Sequence, residues 1–429
     1  MMRGSTTFAP DTDETRYGTL IAAIMVVTRS AAIEQSAARY VSESLNNSGA
    51  MALALLMCVA LGAVILVDVP HRLARALAAA WPMFAFCGFS LASAIWSTVP
   101  ASTTQETLHV IFTVVAATFL AALTSWRQLI RGMAIGLVAV SLASLLTIPF
   151  GGIDQDIHAG ALQGFWEEKN GAGQVYAYAG IACASLAALE RRPTWLWGVP
   201  VMGLLTVLSD STTSLLCLML GLAILSGIFL AGNRHPGRAI LIFWATAVSV
   251  GFGILIWLNF EDQIFALLGK DPTLTGRSEV WESVLRRIEE RPWIGYGYHA
   301  FWDEASPYAR WVRHEVAFDV FNAHSSWLEA MLSVGLIGTS LLVWFAVRSI
   351  LGAGGGVFLP DDNRRFALPI LLAMLVISLS ESILIGAAGI GWFVYLAFGI
   401  KAAMGPAISP TAQPLSLRRM KASTDVIYL

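Results

Sequence analysis

The sequence predicts an all-α polytopic membrane protein, and three observations lead to that class. Of its 429 residues, 56% are hydrophobic and only 13% are charged, whereas a soluble chain has roughly 25% charged residues. The apolar residues fall in runs of about 20, the length that an α-helix needs to cross a bilayer. One long polar interval, from about 259 to 322, separates these runs. Water-facing chemistry is therefore expected there and on the shorter connections.

With a span length of about 20 residues, the chain contains about twelve candidate transmembrane helices. The first is short and contains Arg29, and two pairs of neighbouring spans are joined by almost no turn. The candidates fall near 18–33, 50–67, 77–97, 104–124, 128–149, 171–189, 194–209, 212–231, 238–258, 325–348, 365–384 and 386–403.

Basic side chains indicate which ends of these helices face the cytoplasm. Connections after even-numbered spans carry most of them: Arg72, Arg75, Arg127, Arg131, Arg191, Arg192, Arg234, Arg238, Arg348, Arg364 and Arg365. The positive-inside rule then places both termini in the cytoplasm and the long interval outside. The expected order is a cytoplasmic segment 1–17, nine spans within 18–258, one large outer loop 259–324, three spans within 325–404 and a cytoplasmic tail 405–429.

Charge and cysteine content exclude other classes. The formal net charge is −2, so there is no basic footprint for nucleic acid. Cys58, Cys87, Cys183 and Cys217 lie in apolar runs without CxxC or metal-ligand spacing, which predicts small buried hydrophobes. Residues 1–17 lack the basic start and apolar core of a cleaved signal peptide, so we expect the N-terminus to be retained.

Two short outer connections carry polar groups at helix starts. Lys169 and Asn170 open the sixth span, where the lysine is either an interfacial anchor or a cation offered to an anionic ligand beside a helix N-terminus. Ser211 and Thr213 belong to a hydroxyl cluster between the seventh and eighth spans. These hydroxyls either cap the helix or contact a ligand. No Gly-x-Ser-x-Gly elbow marks a hydrolase nucleophile here.

The large loop is predicted to contain an amphipathic helix after Thr275-Gly276-Arg277-Ser278. Ser278 is the expected N-cap, and Pro292 ends the helix. Arg277 then lies at a helix start, where a guanidinium and backbone N–H groups can converge on phosphate. A solvated loop arginine or a lipid-headgroup anchor is the alternative. The apolar face has helical spacing: Val280, Trp281, Val284, Leu285 and Ile288.

An aromatic run with interspersed glycines follows this helix. Rings with a polar handle suit a membrane-interface belt, and the same ring faces can stack on sugars. The run comprises Trp293, Tyr296, Tyr298, Phe301, Trp302, Tyr308 and Trp311, with Gly295 and Gly297.

The loop closes at Asn322-Ala323-His324-Ser325, the entry of the tenth span. Asn322 is the expected helix cap, which leaves His324 on the first outward turn. An imidazole suits proton transfer near neutral pH; a structural interfacial histidine is the alternative. His299, His314 and His324 lack the close spacing of a zinc helix, so metal catalysis is not expected.

In their order along the chain, these motifs resemble the O-antigen ligase and polysaccharide polymerase superfamily, with most similarity to its exopolysaccharide (succinoglycan-type) repeat-unit polymerases. The resemblance covers roughly residues 50 to 405. It is carried by Lys169-Asn170, the Ser/Thr run, Thr275-Gly276-Arg277 with Trp281, the turn Pro292-Trp293-Ile294-Gly295-Tyr296-Gly297, and Asn322-Ala323-His324-Ser325. It implies a metal-independent glycosyltransferase of the bacterial inner membrane, without a cofactor, whose large loop is periplasmic.

The resemblance also implies substrates and residue roles. Donor and acceptor would both be undecaprenyl-diphosphate-linked glycans, and further expected partners are membrane lipids, a chain-length regulator and export machinery. Arg277 would bind the diphosphate, and His324 would orient or deprotonate the acceptor hydroxyl. Lys169 stands where ligases tend to have an arginine, a departure from the pattern. The expected substrate-binding set is Lys169, Asn170, Ser211, Thr213, Trp281 and Asn322.

Two other functions remain open from the sequence. A ligase of the same superfamily would pass its glycan to lipid A-core or protein, and the residues do not distinguish these acceptors. A transporter of lipid-linked sugars would place charged residues inside its spans. Arg29 and Glu381 are the main candidates for such a pathway. Glu381 lies between two serines near an outer hairpin, where it could instead contribute to an active site.

Overall fold

The computed structural model describes residues 15, 17–29, 70–154, 159–166, 168–231, 277–316, 319–357, 362–385 and 389–406. Within these ranges the regular structure is helical, and extended pairing is limited to one isolated bridge between Ile153 and Leu162. This confirms the all-α class for the described part of the chain. The candidate spans 50–67 and 238–258, and the loop residues Thr275 and Gly276, lie outside it.

Twelve α-helices are described in these ranges, and short 3-10 segments extend several of them. They are α1 (Gly18–Thr28), α2 (Pro70–Ala92), α3 (Pro100–Leu123), α4 (Trp126–Ala143), α5 (Lys169–Glu190), α6 (Gly198–Leu208), α7 (Thr212–Ala231), α8 (Arg277–Glu290), α9 (Pro307–Val316), α10 (Ser326–Gly354), α11 (Leu368–Ile377) and α12 (Ile390–Ala403).

Six helical segments of the described chain are long and apolar enough to cross a membrane: Pro70–Ile95, Pro100–Leu123, Trp126–Phe150, Lys169–Glu190, Thr212–Leu230 and Ser326–Gly354. Three shorter apolar helices, Gly18–Thr28, Pro193–Leu208 and Ile390–Ala403, accompany them. The chain is therefore a multi-pass membrane protein, while the total of about twelve spans stays a prediction. The helix found in place of the expected span 365–384 is shorter than predicted. This helix, α11, ends at Ile377, and residues 378–385 form a loop.

The bundle is organised around two buried helices, α5 and α12. α5 packs against α4, α6 and α7, and α12 packs against α3 and α10. Every residue of α12 from Ile390 to Ala402 is buried, as expected of a helix surrounded by other helices. Cys87, Cys183 and Cys217 are buried free cysteines, as predicted.

Two surface helices, α8 and α9, form a separate apolar cluster with the start of α10. Its buried side chains include Val280, Val284, Ile288, Tyr296, Phe301, Val312 and Leu332. The amphipathic helix is thus confirmed, but Leu285 is 50% exposed and lies off the apolar face. Ser278 lies inside α8 rather than before it, so its prediction as the N-cap is wrong. The second helix of this unit, α9, was not predicted.

A turn of the loop, residues 292–297, docks into a break in α10. At Gly335 the backbone leaves helical geometry with φ 60°, which frees the hydrogen-bonding groups on both sides of the break. The N–H groups of Tyr296 and Gly297 donate to the carbonyls of Leu332 and Ser333, at 2.8 and 3.0 Å. In return, the N–H groups of the two residues that follow Gly335 donate to the carbonyls of Pro292 and Trp293, at 2.8 and 3.2 Å.

This docking explains the aromatic run better than either prediction did. Tyr296, Tyr298 and Phe301 are almost fully buried, so they are neither an interface belt nor a sugar platform. Trp293 and Trp311 remain exposed, at 64% and 56%. The turn fixes the surface unit to α10 and thereby sets the positions of α8 and of the chain that enters α10.

Candidate functional site

The first residue of α8, Arg277, reaches the loop that follows α11. Its Nη2 atom lies 3.0 Å from Oε1 of Glu381, and its Nη1 atom donates to the carbonyl of Ser380 at 3.1 Å. The Glu381 side chain is 6% exposed and that of Arg277 is 24% exposed. A buried carboxylate requires such partners to remain ionised. Arg277 is therefore held at the helix start and is not a freely solvated loop arginine.

The hydroxyl cluster at the start of α7 joins the same carboxylate. Thr213 donates to Oε1 of Glu381 at 3.3 Å. Ser211 lies 3.3 Å from the Thr213 hydroxyl and 2.8 Å from that of Ser214, and it also accepts from the Ser214 N–H at 3.4 Å. Ser211 therefore caps α7, as the structural alternative proposed, while Thr213 connects the cap to the Arg277 ion pair.

Lys169 and Asn170 lie in the first turn of α5, beside this cap. The Lys169 ammonium lies 2.9 Å from Asp210, which directly precedes Ser211. The carbonyl of Asn170 is 3.5 Å from the Ser214 hydroxyl. Both residues thus lie close to the α7 cap and, through Thr213, to Glu381. Lys169 has a carboxylate partner rather than acting only as a lipid-facing anchor.

His324 lies in a short non-helical segment between the surface unit and α10. Its backbone has a left-handed φ of 48°, and its N–H donates to the side-chain oxygen of Asn322 at 2.8 Å. The N-cap of α10 is Ser325, so the expected capping role of Asn322 is wrong. The Trp281 indole donates to the carbonyl of Ala323 at 2.8 Å, which ties α8 to this segment.

The loop after α11 also binds the start of α10, and this brings His324 to the same end of the bundle as Arg277. The Ser326 hydroxyl donates to the carbonyl of Glu381 at 2.8 Å and accepts from the N–H groups of Ile383 and Leu384. Burial and the nearby Arg277 charge lower the pKa of His324 from 6.5 to about 4. The imidazole is therefore neutral at physiological pH.

All eight residues expected at the site lie in this connected region. Sequence reasoning gave Glu381 only a minor place, and it gave none to Asp210 or Glu329. Glu381 and Glu329 are acids in apolar surroundings, a signal that points to function. Arg29, the other residue considered for a transport pathway, donates to Thr113 at 2.5 Å.

The arrangement favours binding of an anion beside a proton acceptor. Arg277 begins α8 and Lys169 begins α5, so each cation lies next to a helix N-terminus. The described residues contain no group of three or more His, Cys, Asp or Glu side chains arranged to hold a metal ion. The basic side chains at this site, Arg277 and Lys169, each lie within 3.0 Å of a carboxylate oxygen.

A helical membrane bundle with this polar cluster at one end defines a multi-pass membrane protein with a polar site at the end of its helices. Comparison with known proteins gives the family. Residues 197–343 match the family model described as O-antigen ligase. The chain is 30% identical over 302 residues to the exopolysaccharide production protein ExoQ of Rhizobium meliloti (strain 1021). This match covers 67% of this chain and 68% of the length of ExoQ. The chain belongs to the O-antigen ligase and polysaccharide polymerase superfamily, near ExoQ.

Proposed function

We propose that the protein polymerises undecaprenyl-diphosphate-linked oligosaccharide repeat units into exopolysaccharide at the periplasmic face of the inner membrane. Both termini would then be cytoplasmic. The proposal follows from the family and from the similarity to a protein named for exopolysaccharide production. A membrane enzyme whose polar site lies at one end of its helices suits a substrate with a lipid anchor and a hydrophilic glycan.

One observation carries the proposal: Arg277 and the start of α10, which directly follows His324, both bind the loop at Glu381. Arg277 contacts its carboxylate, and Ser326, two residues after His324, contacts its carbonyl. The charge of Arg277 also contributes to the low pKa of His324. A guanidinium and an imidazole that are near enough for this electrostatic effect can act on the two ends of one displacement reaction.

In the proposed reaction, the acceptor hydroxyl oxygen attacks the anomeric carbon of the donor sugar. The bond between that carbon and the diphosphate oxygen breaks, and undecaprenyl diphosphate leaves with the electron pair. Arg277 and Lys169 stabilise the negative charge that develops on the leaving group. The neutral His324 orients the hydroxyl and accepts its proton as the new bond forms. The anionic donor offsets the Arg277 charge, which raises the basicity of His324 when substrate is bound.

A ligase is the second candidate, because the matched family model is described as O-antigen ligase. The chemistry at the anomeric carbon would be the same, and only the source of the acceptor hydroxyl would differ. The glycan would pass to lipid A-core or to protein instead of to another lipid-linked repeat unit.

Reconstitution in liposomes distinguishes these functions. The purified protein is supplied with lipid-linked repeat units on the accessible outer leaflet, and the products are separated by size. A polymerase yields a ladder of lipid-linked chains from this single substrate. A ligase yields a new product only after lipid A-core or another acceptor is added, and a flippase yields no longer glycan at all. Absence of any chain longer than one repeat unit would contradict the proposed function.

A further inference from the structure

The backbone around His324 adopts a conformation that the local sequence does not favour. A left-handed φ is uncommon for a non-glycine residue, and such strain persists only where neighbouring contacts hold it. Here the contacts converge on Ala323, the residue directly before His324. Its carbonyl accepts from Trp281 at 2.8 Å, and its N–H donates to Oε1 of Glu329.

Glu329 connects this segment to a second part of the surface unit. The Trp302 indole donates to both carboxylate oxygens of Glu329, at 2.9 and 3.1 Å. Glu329 is 7% exposed and lies in the first turn of α10. The hydrogen bonds described at this carboxylate all come from uncharged N–H groups. Ionising an acid that is buried without a cation is costly, and an acid retained in such surroundings in a membrane protein points to a function.

We propose that Glu329 is a positioning residue for His324, an inference that rests on the proposed function. By accepting a hydrogen bond from the Ala323 N–H, the carboxylate fixes the backbone orientation just before His324. It thereby sets the direction in which the His324 side chain projects. Trp302 fixes the carboxylate itself, and Trp281 fixes the carbonyl of Ala323, which belongs to the next peptide unit, between Ala323 and His324. The clamp formed by Trp281, Trp302 and Glu329 keeps the imidazole at a constant place relative to Arg277.

The experiment compares Glu329→Ala, Glu329→Gln and Glu315→Ala in the full-length protein. Glutamine keeps an oxygen that can accept from Ala323 and Trp302, whereas alanine removes it. Glu315 is the matched control, because it is also a carboxylate of the surface unit; it accepts from Ser283 and Arg286 and has no described contact with residues 322–325. Elongation kinetics and the rate of His324 carbethoxylation by diethyl pyrocarbonate, read by mass spectrometry, are measured for each.

We expect Glu329→Ala to lower kcat by about 100-fold with little change in KM, because a displacement of about 1 Å at a reacting group has an effect of that order. His324 should also react faster with the reagent, since it becomes exposed to water. The acidic limb of the pH profile should move to higher pH, because hydration raises the pKa of the imidazole toward its ordinary value while the Arg277 charge remains. Glu329→Gln should restore most of the activity, and Glu315→Ala should match the wild type.

A wild-type kcat, pH profile and His324 reactivity in folded Glu329→Ala protein would overturn the inference. Loss of activity in both Glu329 variants without a change in His324 reactivity would also overturn it, since that pattern indicates a general structural role. Failure of the proposed function gives a different result. In that case the wild type produces no polymer, whereas the His324 modification assay still reports whether Glu329 positions the imidazole.

Discussion

The guanidinium of Arg277 and the carboxylate of Glu381, 104 residues apart in sequence, form an ion pair of 3.0 Å at one end of the bundle. The pair connects the surface helix α8 to the loop after α11, and Thr213 joins α7 to the same carboxylate. Removing one partner of a desolvated pair leaves an uncompensated charge, which costs more than the pair itself contributes. Glu381 therefore holds the arginine in place before a substrate arrives.

Replacing Glu381 should impair activity through Arg277. We expect Glu381→Ala to lower the elongation rate by about 10-fold or more, because the guanidinium loses its main anchor and an ion-paired group is worth several kcal/mol when desolvated. The KM for the lipid-linked donor should rise as well, since Arg277 is proposed to bind its diphosphate. Initial rates at varied donor concentration in liposomes measure both effects.

The control for this prediction is Glu282→Gln, which breaks an exposed ion pair with Arg286 on the same helix α8. Exposed pairs contribute about 0–1 kcal/mol, so this variant should behave as the wild type. Equal rates for Glu381→Ala and Glu282→Gln would show that the Arg277 ion pair has no functional role.

The break in α10 should require glycine at position 335. An added Cβ would lie 2.3 Å from the carbonyl carbon of Trp293, and the φ of 60° is left-handed. We expect Gly335→Ala to lower the free energy of unfolding by at least 1–2 kcal/mol and to displace the docked turn. Gly354→Ala at the end of the same helix is the control, because no heavy atom lies within 4 Å of its added Cβ. Thermal unfolding in detergent followed by tryptophan fluorescence compares them; equal stability would contradict the description of the break.

The pH dependence of activity should follow the neutral form of His324. Its pKa lies at about 4, below the ordinary 6.5, so kcat/KM should stay level as pH falls from 7 and decline only as pH approaches 4. In Arg277→Gln, loss of the neighbouring positive charge should raise the pKa of His324. The pH dependence of His324 carbethoxylation measures this pKa even where activity is lost. A decline of kcat/KM centred at pH 6.5 or above in the wild type would contradict a half-buried imidazole beside a cation.

Metal chelation should leave elongation unchanged. In the proposed mechanism, side-chain cations and helix N-termini meet the diphosphate charge, a task that a metal ion performs in other enzymes. Rates measured with excess EDTA and after addition of Mg²⁺ or Mn²⁺ test this point. A strong loss with EDTA that a divalent cation reverses would contradict the assignment of this role to Arg277 and Lys169.

The sequence predicted the parts of the site that have local signals. Arg277 was expected at the start of an amphipathic helix, and this position is confirmed. His324 was expected on the first turn of the next long apolar helix, but it lies just before the N-cap Ser325, outside the helix. Each prediction follows from helix periodicity and from the placement of polar residues between apolar runs. The family resemblance, which the comparisons confirm, supplied the order in which these motifs belong together.

The missed features depend on contacts between distant segments. The break at Gly335 lies within an apolar run that reads as one continuous span, and only the docked turn 292–297 compensates its free backbone groups. Glu381 is explained by Arg277, Thr213 and the α10 entry together, none of which is near it in sequence. Asn322 was expected to cap α10, but its side chain serves the His324 N–H instead, because the strained backbone there needs that acceptor.

The most direct test of the account is elongation by Arg277→Ala and His324→Ala in liposomes that carry lipid-linked repeat units, at matched amounts of folded, membrane-inserted protein. Losing one preorganised charge-stabilising donor typically costs about 2.7–4 kcal/mol. The account therefore predicts that each variant elongates at least about 100-fold more slowly than the wild type. Near-normal chain length and yield from either variant would contradict a reaction that takes place between these two side chains.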